Sequence, residues 1–189
     1  MSDNQRQGQR EIVVEMQGVD RLTLARIWEK MRAGVDLTGE ETYLGRAMAD
    51  HPEHFPLFET MEIFDTAQGA QAGEQSAFAH LTFHFIIGSQ IHHQNPPEAE
   101  TFYRMRLRAG DNRHDVVHMM INVFQRHLAW AAQNANPEGQ AAFDLAAYGA
   151  TLKTLWPLKT KKVWERLGYE VEPPSVGGAA ARAASKRRR

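Results

Sequence analysis

The 189-residue sequence contains no cysteine. That absence excludes disulfides, thiolate zinc sites and a thiol nucleophile, so any metal site must draw on His, Asp, Glu or water. No excess of charge is present either: 22 Lys and Arg stand against 23 Asp and Glu, and no global field recruits nucleic acid or an anionic membrane. Long hydrophobic runs are missing. The most apolar stretch, near His84, is interrupted by Gly88, Ser89 and Gln90 and falls short of a membrane span. Ser2–Arg10 is polar and no apolar core follows it, which argues against a signal peptide. No segment alternates with period two, no repeat is evident, and no Gly-rich loop precedes a helix as phosphate binding requires. A serine nucleophile elbow is absent as well. The expectation is a soluble, cytoplasmic protein without nucleotide chemistry.

What is present is helical. Asp20 is a good N-cap for a helix over about Arg21–Ala33, closed by Gly34. Thr38 and Glu41 have capping-box spacing, which predicts a second helix to about Asp50, stopped by Pro52. A short Phe- and Met-rich helix over His54–Asp65 and a small, polar loop follow. Next comes a central helix over about Ser76–His93, apolar nearly all round and therefore buried. Asn95-Pro96-Pro97 turns the chain into a helix over about Glu98–Ala109. Its Arg104, Arg106 and Arg108 spread around the helix and read as a solvated face. Asp111 can cap a long helix to about Gln133, and helices over about Gln140–Leu155 and Leu158–Leu167 complete the set. The fold class is all-α, a single irregular helical bundle of about six to eight helices. The bundle domain spans 20–169, between a flexible or partly ordered segment (1–19) and a disordered basic tail (170–189) ending Lys186-Arg187-Arg188-Arg189.

Two histidine pairs stand out, His80/His84 and His114/His118. Residues four apart share a helix face, so each pair can present two imidazoles to one divalent ion. Short connections make consecutive helices antiparallel, so the two pair-bearing helices run the same way. At about 1.5 Å per residue the central helix advances roughly 26 Å and the next returns roughly 18 Å, so the two pairs come to overlapping levels. His80, His84, His114 and His118 are the candidate metal ligands for zinc, iron or manganese, with His51 as an extra ligand. His92, His93 and His54 sit at helix ends and read as responses to the helix dipole. Asp115, Asp111 and Glu74 are the carboxylates nearest the pairs in sequence, none with a defined role.

Four elements carry a resemblance: DHPEHF (50–55), SAFAHLTFHFIIGSQ (76–90), QNPPE (94–98) and RHDVVHMM (113–120). Together they resemble the bacterial domain-of-unknown-function family 1841, over about Leu22 to Gln133. The resemblance implies matching histidines at His51, His80, His84, His114 and His118, with Pro96-Pro97 between them, and brings no established activity. Relatives tend to carry acidic residues where this chain has Gly88, Ser89 and Asn122, so chemistry that depends on those carboxylates is put in doubt here.

Two functions follow from these residues. One is a helical bundle binding a divalent metal, structural if four protein ligands close the site and catalytic if a position stays open. The other is a non-enzymatic interaction module, with hydrogen-bonded core histidines and a tail that contacts a protein or, weakly and salt-sensitively, nucleic acid. Whether the chain is an enzyme is left open by the sequence.

Overall fold

The computed structural model describes residues 21–60, 72–134 and 143–168, with backbone alone for Arg21 and residues 72–76. The terminal segments, the Asp20 cap, the Glu74 side chain and the whole of the 61–71 connection lie outside that description. Among the described residues there are eight α-helices, one 3-10 turn and no strand: α1 (Arg21–Arg32), α2 (Glu41–Asp50), the turn Pro52–His54, α3 (Phe55–Thr60), α4 (Ala72–His93), α5 (Pro97–Arg108), α6 (Arg113–Gln133), α7 (Leu145–Leu155) and α8 (Thr160–Arg166). The all-α bundle expected from the pattern is what the chain forms.

Helix α4 is the axis, packing against α2, α5 and α6. Its neighbours divide into two apolar clusters. Leu81 and Phe85 face Leu24, Ile27, Met48 and Phe58 of the first three helices. Ile86 and Ile87 face Phe102, Met120, Phe124 and Tyr148 of the later ones. A helix that feeds cores on two sides needs apolar residues around most of its circumference, which explains its lack of a polar face. Ile86 and Ile87 are both fully buried, each contributing about 1.5–3 kcal/mol by removal from water. Within this core the Tyr148 hydroxyl donates to Gln90 Oε1 at 2.9 Å.

Three local expectations are corrected. Thr38 and Glu41 form no capping box; α2 begins at Glu41 without a side-chain cap, and Glu41 instead takes the Lys30 ammonium at 2.6 Å. Asn112, not Asp111, caps α6, its side chain accepting the His114 N–H at 2.8 Å. Arg106 does not belong to a solvated face: it is 1% exposed and pairs with Asp111. Its guanidinium also donates to the Leu158 carbonyl and to Thr160 Oγ1, so one buried cation ties the end of α5 to the start of α8.

Candidate metal centre

Three elements bring five imidazoles together. His51 is the C-cap of α2 and the residue before the 3-10 turn, where Pro52 turns the chain inward. His80 and His84 come one turn apart from α4, and His114 and His118 one turn apart from the first part of α6. The α4/α6 contact brings the two pairs together, which the helix arithmetic allowed: His80 meets His118, and His84 meets both His114 and His118.

The nitrogens divide the five unequally. The Nε2 atoms of His51, His80 and His84 form a triangle with sides of 2.9, 3.1 and 3.1 Å, and His118 Nε2 lies 3.1 Å from that of His84. His51, His80, His84 and His118 are thus the set whose donor atoms could hold one ion. His114 is packed against them, 4.2 Å from His118 and 4.7 Å from His51 between ring centroids, but its nitrogens are outside that set. It is buried with neither ring nitrogen hydrogen-bonded, and the nearest carboxylate oxygen, Asp50 Oδ2, is 3.5 Å from its Nδ1.

Protons alone satisfy this arrangement poorly. An N–H···N hydrogen bond joins one protonated and one bare nitrogen. Around a triangle of three mutually touching nitrogens, at least one contact must join two of the same kind. A cation accepts all the converging lone pairs at once. Nitrogens held tetrahedrally at about 2.0–2.1 Å from zinc are about 3.3–3.4 Å apart, close to the separations seen here. The donor set fits a metal.

A carboxylate supports it from behind. His51 Nδ1 donates to Glu53 Oε1 at 2.8 Å, which fixes the tautomer and leaves Nε2 bare toward the other rings. His54 stacks on His51 with centroids 5.7 Å apart. Asp50 is held by Arg113, whose Nη2 lies 2.7 and 2.5 Å from its two oxygens. Sequence reasoning ranked His51 as an extra and overlooked Glu53 and Asp50. The DHPEH segment was their signal, but it belongs to a turn and carries no periodicity.

Residues 17–153 match the family described as Domain of unknown function (DUF1841). The chain belongs to that family. No curated protein and no solved structure matches it.

In this DUF1841 chain burial keeps the imidazoles neutral, the form that binds metal. Burial first, and then the neighbouring His51, pushes His80 down to about 4. Burial and then His114 push His118 down to about 3. His84 falls furthest, through burial and then His80 and His118. His51 is lowered by burial, with the Glu53 hydrogen bond opposing. Burial alone would raise the Asp50 carboxyl, but His114 and the Arg113 guanidinium outweigh it and hold it low.

Of the positions where DUF1841 relatives were expected to carry acids, Gly88 has no room for one here. A Cβ on Gly88 would stand 2.9 Å from both Cβ and Cγ of Tyr43. The Asn122 amide donates to the His118 carbonyl at 2.9 Å, one turn back along α6. Among the described residues, the carboxylates that reach the imidazoles come from Asp50 and Glu53, at and just after the end of α2. Among the described residues no helix is long and apolar enough to cross a membrane.

Proposed function

We propose that this protein binds one divalent transition-metal ion through the Nε2 atoms of His51, His80, His84 and His118. The observation that carries the reading is the triangle of ring nitrogens at 2.9–3.1 Å, which cannot be fully satisfied by hydrogen bonds. The competing reading, a metal-free interaction module with hydrogen-bonded core histidines, has to accept at least one repulsive contact inside that triangle. An all-imidazole donor set suits zinc or iron better than manganese, which prefers oxygen ligands. Four imidazoles fill a tetrahedral coordination sphere, which gives the bound ion a structural role. The chain's own residues fix the ligands: Glu53 orients His51, and α4 and α6 hold the pairs from rigid elements. His114 stands beside the ligands as a reserve imidazole rather than one of the four.

The test is elemental analysis of untagged protein purified without chelator, beside a His84→Ala/His118→Ala variant. Near-stoichiometric metal that disappears in the variant is the expected result. Wild-type protein without metal, and without a thermal shift on adding zinc or iron, would overturn the reading.

A further inference from the structure

A cleft of about 200 Å³ opens between α2, α4, α5 and α6 and shares the His84 side chain with the imidazole cluster. Its lining includes two cations, Arg46 and Arg113, and one carboxylate, Asp50. Arg113 and Asp50 are matched to each other across an ion pair. That leaves the charge of Arg46, on the exposed side of α2, unbalanced within the lining. Tyr43, His92 and Tyr103 add side chains with N–H or O–H groups around the cleft, and Ile91 and Val117 give it an apolar portion. Tyr43 is itself set in place by Gly88, where the two helices meet without room for a Cβ.

We propose that this cleft binds a small organic oxyanion, a carboxylate or phosphate ester with a short apolar body, next to the metal centre. The dication's share of the attraction rests on the metal reading above. The charge selects the class: a net positive lining beside a dication favours an anion, and guanidinium groups pair with carboxylate and phosphate oxygens through charge-assisted hydrogen bonds. The volume selects the size. A cleft of about 200 Å³ takes a small molecule and not a folded partner. Ile91 and Val117 favour a ligand with an alkyl portion over a bare inorganic ion.

The experiment is isothermal titration of the full chain, zinc-loaded and chelator-treated, with butyrate, acetate and inorganic phosphate, and with zinc content measured in each sample. Wild-type protein is compared with Arg46→Ala and with a control, Arg104→Ala, on the exposed face of α5. The expected result is binding to zinc-loaded protein that weakens at least tenfold in R46A, at unchanged zinc content, and is unaffected in R104A. Butyrate binding more tightly than acetate and inorganic phosphate supports an oxyanion with an alkyl body; inorganic phosphate binding tightest overturns the alkyl portion of the proposal. Binding undiminished in R46A would mean the anion sits on the metal and not on the cleft, which overturns the proposal. No binding by any of the three to protein that retains zinc overturns it too, while leaving the metal centre intact. If the chain takes up no zinc, the metal reading fails separately. Arg46-dependent binding to the chelator-treated chain then keeps the oxyanion site and removes the ion's share of the attraction.

Discussion

Glu53 holds His51 from behind: Oε1 of the first accepts the Nδ1 proton of the second at 2.8 Å, while the far edge of the same ring meets His80 at 2.9 Å. A carboxylate on the outer nitrogen fixes which nitrogen is bare and raises its basicity. Glu53→Ala is therefore expected to lower metal affinity about 10- to 100-fold without abolishing folding, the range typical for such supporting groups. Competition with a chromogenic chelator measures it. An unchanged affinity would show that His51 does not depend on Glu53 for its orientation.

His114 separates the ligand set expected from the sequence from the one the geometry favours. Its ring nitrogens are buried and without hydrogen bonds, and they stand outside the set of converging donors. His114→Ala should keep one metal per chain, whereas His118→Ala and His51→Ala should each lose most of it. Truncating His114 removes two buried ring nitrogens without hydrogen bonds, at the cost of the 3.5 Å contact with Asp50. Metal loss in His114→Ala as complete as in His118→Ala would return His114 to the ligand set.

The metal-free protein should lose stability as acid is added, and the sign follows from the shifts. His80 and His118 titrate at about 4 and about 3 when folded, against about 6.5 in an unfolded chain. Below pH 6.5 the unfolded state therefore binds more protons, and stability falls as pH drops. The decline continues to about pH 4 for His80 and about pH 3 for His118. Urea midpoints measured on chelator-treated protein between pH 7.5 and 4.5 should fall steadily below about 6.5. A flat profile across that window would mean the imidazoles are hydrated and titrate normally.

The legible part of this protein was what repeats along a helix. His80/His84 and His114/His118 announced themselves by spacing, and the all-round apolarity of α4 announced burial on two sides. His51 was harder to rank because it lies at a helix-to-turn junction, where the direction of a side chain depends on Pro52 and the following turn. Arg106 was misread because charge alone does not tell which face packs. Asp111, the distant Leu158 carbonyl and the Thr160 hydroxyl together make its burial tolerable. Asp111 and Thr38 were misassigned for a related reason. Asp111 has a buried arginine as a stronger partner than a helix end, and the Glu41 of the would-be box is taken by Lys30.

The Arg106–Asp111 pair carries the last prediction. The two side chains are 1% and 5% exposed, and Thr160 Oγ1 bridges them by accepting from Arg106 at 2.9 Å and donating to Asp111 at 2.5 Å. Two desolvated charges of opposite sign tolerate burial only together, since removing one leaves the other without compensation. Asp111→Ala is expected to destabilise the bundle by about 3–5 kcal/mol. Replacing both charges, as Arg106→Met/Asp111→Ala, should cost clearly less than the sum of the single changes, because no charge is then left buried alone. Thr160→Val should cost only about 1–3 kcal/mol, the penalty for hydrogen-bonding groups that lose their bridge. Urea denaturation of the three variants and of Arg106→Met alone gives the coupling directly. Strict additivity would mean that water reaches the pair and that each charge is solvated on its own.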